Sequence, residues 1–224
     1  MNIMNTCGDK YISKYIGEKI TSSKKVIILL HGRRQSPDDF FDIAQQLYIA
    51  EITWILACAP EGTWYPHSFL RAIEKNQPHL DNALSYIDSI VESLIEHDIK
   101  EENIFLVGFS QGACVVSQYL FKLRRRLGGA VIFTGGLFGP EINVAKEDNS
   151  SLLGMPIFIS GSMTDSWVPA SRIIDTANCF ESLGAKVKEV VFAERKHLVS
   201  SEEIEESRIW FEKILNPMNE EEQD

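Results

Sequence analysis

The stretch "FLVGFSQGAC", residues 105–114, reads as a strand that turns abruptly into a helix. Its apolar run ends at Phe109, Ser110 follows, and Gly108 and Gly112 stand two positions to either side of the serine. The pattern is G-x-S-x-G. On a sharp strand-to-helix turn the serine is held in a strained conformation that exposes its Oγ. Side chains two positions away would strike neighbouring backbone, which calls for glycine there. The start of the helix beneath offers free N–H groups to a developing negative charge. Three fixed positions in five recur by chance, so an ordinary glycine-rich turn is the alternative, and the context decides.

That context is an alternation of strands and helices. Strands are expected at 25–30, 52–59, 103–109, 129–134, 155–160 and 186–192, mostly as continuous apolar runs of the kind covered on both faces. Helices are expected at 36–50, 79–99, 111–125, 169–184 and 200–215. Ser36 and Pro37 form a start signal, and Ser200 with Glu203 has the spacing of a capping box. The alternation predicts a single α/β domain over 1–224 with a mostly parallel sheet, helices on both faces, a core at about 24–215 and an acidic tail at 216–224. Two connections, 60–78 and 135–154, are long for plain loops and are placed to cover a site.

The chain has 224 residues, 44% of them hydrophobic, and a net charge of −10. That balance speaks against nucleic acid or an anionic membrane as partner. The basic run "KLRRR" (122–126) falls at a helix end, where cations suit the dipole. Four scattered cysteines with no C-x-x-C pair suggest no zinc site; Cys58 and Cys114 read as small core residues. No apolar run has the length of a bilayer span, and the first twenty residues lack the apolar core of a signal peptide. The expectation is a reduced, soluble, cytoplasmic protein.

A serine hydroxyl needs a base, and on this architecture the partners follow in the order serine, acid, histidine. Asp165 lies in "GSMTDSWVP", just past the fifth expected strand, and His197 lies in "ERKHLVSSEE", between the last strand and the last helix. All three positions fall on loops after strand ends, where α/β sites form. Asp165 as a helix cap and His197 as a surface residue remain the alternatives. His67 is the rival base, with the wrong chain order. In "LLHGRRQSPDDF" the chain turns at Gly32, so the backbone N–H groups of Arg33 and Gln111 are the expected oxyanion donors, with His31 structural.

Taken together, "LLHGRRQSPDDF", "WYPHSFL", "FLVGFSQGACV", "FTGGLFGP", "DSWVP" and the late His197 resemble the phospholipase/carboxylesterase group of α/β-hydrolases, which includes acyl-protein thioesterase-like and dienelactone-hydrolase-like esterases. The resemblance runs from about residue 26 to about residue 215. It implies an α/β-hydrolase fold with short cap loops, no cofactor, Ser110, Asp165 and His197 as triad, and Arg33 and Gln111 as oxyanion donors. Members often carry "HGRG" where this chain has "HGRR", so Arg34 stands in place of a glycine. Dienelactone hydrolases use a cysteine nucleophile, which argues against dienelactone as substrate. The stretch before the acid, "GSMTDSW", does not support a metal-binding variant.

The expected activity is hydrolysis of carboxylic esters, with thioesters or lysophospholipids as further candidates. Peptide or C–C bond hydrolysis on the same scaffold and a non-catalytic binding protein are the alternatives. Trp64, Tyr65, Phe69 and Arg34 are the expected substrate contacts, unless the three aromatic residues only pin their loop to the core. Arg33 and Arg34 favour a carboxylate or phosphate at the pocket mouth. Neither long loop has the broad apolar face of an interfacial lid, so the expected partner is a small, soluble ester of short to medium acyl length. No nucleic acid or stable membrane insertion is expected; the oligomeric state stays open, a homodimer included.

Overall fold

The computed structural model describes residues 10–17, 19–20, 25–47, 52–142 and 151–215. In chain order the elements are β1 (Ile12–Gly17), β2 (Lys25–Leu30), α1 (Pro37–Ala44), β3 (Ile52–Cys58), α2 (His79–Glu96), β4 (Ile104–Phe109), α3 (Gln111–Leu123), β5 (Gly129–Phe133), β6 (Pro156–Ser162), α4 (Ala170–Ser182), β7 (Lys186–Phe192) and α5 (Ser201–Leu215). The strands form one sheet in the order β1-β3-β2-β4-β5-β6-β7. Every pair from β3 to β7 is parallel.

Only β1 is antiparallel, running Ile12↔Cys58 to Gly17↔Thr53 along β3. The sequence reading starts the core near residue 24 and misses this strand. Its sequence, ISKYIG, is mostly exposed and carries little apolar signal. Two other expectations change. The helix expected over 36–50 ends at Ala44 and tightens into a 3-10 turn at Gln45–Leu47, with 48–50 outside the described residues. β6 runs on to Ser162, two residues further than expected, towards the acid loop.

Pleat alternation sorts the sheet into two cores. Val26, Ile28 and Leu30 of β2 face α2, α3 and α4 on one side. Ile27 and Leu29 face Phe40 and Ala44 of α1 and Ile204, Trp210 and Phe211 of α5 on the other. Both faces are covered, which explains why β2, β3 and β4 read as unbroken apolar runs. α1 starts with the full capping box: Ser36 Oγ accepts from the Asp39 N–H at 3.1 Å, and the Ser36 N–H donates to Asp39 Oδ2 at 3.1 Å.

Cys58 is disulfide-bonded, which corrects the expectation of a fully reduced chain, while Cys114 and Cys179 are free and buried. Cys7 and the acidic tail at 216–224 lie outside the described residues. No helix among the described residues is long and apolar enough to cross a membrane.

Candidate active site

The loops after β2, β3, β4, β6 and β7 meet at the carboxyl edge of the sheet, where open α/β folds place their ligands. Ser110 occupies the turn between β4 and α3 with φ 52° and ψ −113°, a conformation that L-residues avoid. Close packing explains its two glycines. A Cβ on Gly112 would stand 2.2 Å from the Leu30 carbonyl oxygen, and one on Gly108 would stand 2.7 Å from the Ala113 nitrogen. The turn is also tied across the sheet, the Ser110 N–H donating to the Phe133 carbonyl at 2.9 Å.

Ser110 Oγ lies 2.7 Å from His197 Nε2, and His197 Nδ1 lies 2.7 Å from Asp165 Oδ2. Since ionised Asp165 can only accept, Nδ1 carries the proton and Nε2 is left to accept from the serine. The Asp165 side chain is fully buried while the imidazole is 23% exposed. The other oxygen of Asp165 accepts from the Trp167 N–H at 2.8 Å and the Val168 N–H at 2.9 Å. Burial alone would push this carboxyl up, but the Val168 N–H, His197 and the Trp167 N–H together hold it below its ordinary value. The helix-cap alternative for Asp165 is therefore partly true: its two backbone contacts cap the turn before α4 while its free oxygen orients His197.

Two residues that line the same cavity as Ser110 carry backbone N–H groups without an acceptor among the described residues. Among the described residues, Gly32 N–H donates to Gln35 Oε1 at 2.9 Å, Arg34 N–H to the Gly62 carbonyl at 2.8 Å and Gln35 N–H to the Gly32 carbonyl at 3.3 Å, whereas no acceptor takes the N–H of Arg33 or of Gln111. These are the two expected oxyanion donors. His31 is structural. Its Nε2 accepts from the Ala59 N–H at 3.1 Å, Nδ1 contacts the Gly32 carbonyl at 2.7 Å, and burial holds it below the ordinary imidazole value.

A cavity of about 720 Å³ opens over Ser110, lined in part by Arg34, Tyr65, His67, Phe69, Cys114, Trp167 and Val168; among the described residues no aspartate or glutamate lines it. Tyr65, Phe69 and Arg34 are where the sequence places them. Trp64 is not. It is fully buried behind the cavity, its Nε1 donating to the His31 carbonyl at 2.8 Å and its ring stacked near Tyr11 and Tyr86. For this residue the loop-pinning alternative holds.

Arg33 also departs from expectation. Its guanidinium is spent on the carbonyls of Tyr65 at 2.9 Å and Pro66 at 3.1 Å, so it braces the aromatic loop. Gln111 does the same from below, Oε1 accepting from the Trp64 N–H at 3.0 Å and Nε2 donating to the Tyr65 carbonyl at 2.6 Å. The two residues with unpartnered N–H groups thus also fix the pocket wall through their side chains. Trp167, Val168 and Cys114 line the cavity and escape the sequence reading, although Trp167 stands inside the quoted "DSWVP". Burial pushes the Cys114 thiol up to about 11, so it presents a neutral wall. Among the described residues no group of three or more His, Cys, Asp or Glu side chains could hold a metal ion.

A parallel sheet with one antiparallel edge strand, helices on both faces and a serine on the turn after a central strand define an α/β-hydrolase. The profile of the phospholipase/carboxylesterase family matches residues 13–214, and the chain belongs to that family. It is 23% identical over 206 residues to the putative hydrolase MhqD of Bacillus subtilis, a match covering 90% of this chain and 99% of that protein. A further match, 30% identical over 128 residues, joins 56% of this chain to 54% of acyl-protein thioesterase 1 of Debaryomyces hansenii. Among solved structures, a phospholipase/carboxylesterase from Dyadobacter fermentans superimposes with a TM-score of 0.84 at 33% identity, covering 96% of this chain and all of that one. The carboxylesterase of Bacillus cereus shares the fold at a TM-score of 0.71 and 20% identity, covering 91% of this chain and 94% of that one. The protein is a serine hydrolase of the carboxylesterase and acyl-protein thioesterase-like kind.

Proposed function

We propose that the protein hydrolyses small, soluble carboxylic esters through an acyl-enzyme on Ser110. The observation that carries this reading is the hydrogen-bonded line Ser110–His197–Asp165, at 2.7 Å and 2.7 Å, on the floor of the cavity. His197 Nε2 takes the Ser110 proton as Oγ attacks the carbonyl carbon. The carbonyl oxygen becomes an oxyanion between the N–H groups of Arg33 and Gln111, each worth about 3–4 kcal/mol in favourable cases. His197 then gives the proton to the leaving alcohol. Water repeats the sequence, losing its proton to His197, attacking the acyl carbon and releasing the acid with Ser110 restored. Asp165 holds the tautomer and stabilises the imidazolium throughout. The step needs no cofactor.

Tyr65, Phe69, Trp167 and Val168 supply the apolar wall for the substrate, and Arg34 supplies a positive charge at its mouth. Apart from 3-10 turns at Pro60–Gly62 and Ile73–Asn76, the 60–78 loop holds no helix, which supports a soluble substrate rather than aggregated lipid. Thioesters are the second reading, favoured by the match to acyl-protein thioesterase 1. The test is a p-nitrophenyl ester series of increasing chain length, assayed beside a matched thioester, with wild type and Ser110→Ala. Highest kcat/KM on short to medium chains, abolished in the variant, supports the reading. A rate that jumps when the substrate aggregates, or climbs to the longest chain, counts against the soluble-ester assignment.

A further inference from the structure

His197 sits on the short loop 193–200, which has no regular structure of its own, yet its ring must hold two hydrogen bonds at once. Arg195, two residues earlier, brackets it. The Arg195 N–H donates to Thr164 Oγ1 at 3.2 Å, which ties the loop to the residue preceding Asp165. The Arg195 guanidinium folds under the loop, and Nη1 donates to the carbonyl of Leu198, the residue after His197. Nη2 donates to Thr134 Oγ1 at 2.6 Å, just past the end of β5.

Glu203 fixes the guanidinium from the other side. Its Oε2 lies 3.3 Å from Arg195 Nη1, and the two side chains are 0% and 5% exposed respectively. The same carboxylate accepts from Ser160 Oγ on β6 and from the Ser200 N–H at 3.2 Å. The Glu203 N–H donates back to Ser200 Oγ at 3.2 Å, which completes the capping box of α5. One buried pair thus joins β5, β6, α5 and the acid loop around the loop that carries His197.

We propose that the buried Arg195–Glu203 pair positions His197, with Arg195 holding the loop on both sides of the imidazole and Glu203 holding Arg195. The inference rests on His197 being the base. Stability alone is a poor reason for such a pair. Taking two charges out of water costs several kcal/mol each, and apolar replacements of similar volume are often neutral or stabilising. Arg195 Nε is moreover buried with no acceptor, and burial pushes the Glu203 carboxyl up despite its cationic partner. What the pair supplies that an apolar pair cannot is directional donors to Leu198 and Thr134.

The test separates position from stability. The apolar pair Arg195→Met/Glu203→Leu, the single variant Glu203→Gln and His197→Ala are compared with wild type by thermal melting and by steady-state kinetics on a soluble ester. Misplacing a catalytic group by about 1 Å costs up to about 100-fold. The apolar pair leaves Ser160 Oγ and the Ser200 N–H without their acceptor, so it should melt cooperatively but below wild type, while kcat per folded molecule falls roughly 10- to 100-fold and KM stays within about twofold. Glu203→Gln, which keeps shape and loses charge, should show a smaller fall in kcat per folded molecule. Wild-type kcat in either folded variant, with His197→Ala inactive, overturns the positioning role and leaves the base assignment standing. Substantial activity in His197→Ala overturns the base assignment and this inference with it.

Discussion

The indole of Trp167 leans over the imidazole of His197, ring centroids 6.4 Å apart at 49°, while 72% of the tryptophan surface stays exposed. Its backbone and side chain do different work. The N–H holds Asp165, and the ring extends the cavity wall beyond the serine. A large apolar ring left in water beside a reacting centre offers area to a bound substrate.

Trp167→Ala should therefore raise KM for esters with apolar groups several-fold and leave the hydrogen bond to Asp165 in place. Stability should change by no more than about 0.5 kcal/mol, as for other exposed positions. Kinetics on paired apolar and polar esters, with denaturant melts, check both parts. A large loss of stability with unchanged KM would contradict the assignment.

Trp64 should behave in the opposite way. It is fully buried and its Nε1 donates to His31, so Trp64→Ala leaves a cavity and an unpaired carbonyl. The expected cost is about 3–5 kcal/mol, with ester preference per folded molecule little changed. Urea titration beside a substrate panel distinguishes this from a pocket residue.

Arg34 has φ 60°, the left-handed region, and no ion pair or side-chain hydrogen bond among the described residues. That backbone suits a glycine, since an L-residue in that region costs about 1–2 kcal/mol. With Arg33 occupied and no acid among the described residues lining the cavity, Arg34 should favour esters bearing a carboxylate. The ratio of kcat/KM for a p-nitrophenyl hemisuccinate over p-nitrophenyl butyrate should fall in Arg34→Gly and fall further in Arg34→Glu. It should also shrink with added salt, because exposed charges are screened. A ratio unchanged by Arg34→Glu removes the arginine from substrate selection.

Two pH effects follow from the site. The base accepts a proton only when neutral, so kcat/KM should rise with pH through one ionisation; a flat profile contradicts a histidine base. Asp165 acts on stability. Its folded-state pKa lies below the unfolded value of about 3.9, so its contribution is complete above that value and is lost as pH falls through the lower folded one. Melting temperatures of wild type and Asp165→Asn should converge as pH drops below about 4. A constant gap would show that the carboxylate charge carries none of the difference.

Much of this architecture is legible in the sequence because its strands are buried on both faces. KVIILL and IFLVGF announce themselves as runs, and chain order then puts Ser110, Asp165 and His197 on the loops after β4, β6 and β7. β1 is not legible, since an exposed edge strand with lysine and serine has no run or clean alternation to mark it. Trp64 and Tyr65 are neighbours of similar character, and only the tertiary fold sends one behind the cavity and the other into it. The Arg195–Glu203 pair looks like a charged loop followed by a helix cap. The cap is legible at Ser200 and Glu203, but burial of the arginine depends on β5 and β6, contributed from far along the chain. Nor does the scatter of the cysteines indicate that Cys58 is bonded.

The central claim is that Ser110 becomes acylated with His197 as its base. Reaction with a fluorophosphonate probe, followed by peptide mapping, tests it most directly. The account predicts one covalent adduct per chain, on Ser110, absent in Ser110→Ala and slowed by orders of magnitude in His197→Ala, with the double variant little worse than either single one in ester turnover. An adduct on another residue such as Cys114, or full labelling of Ser110 in His197→Ala, would contradict it.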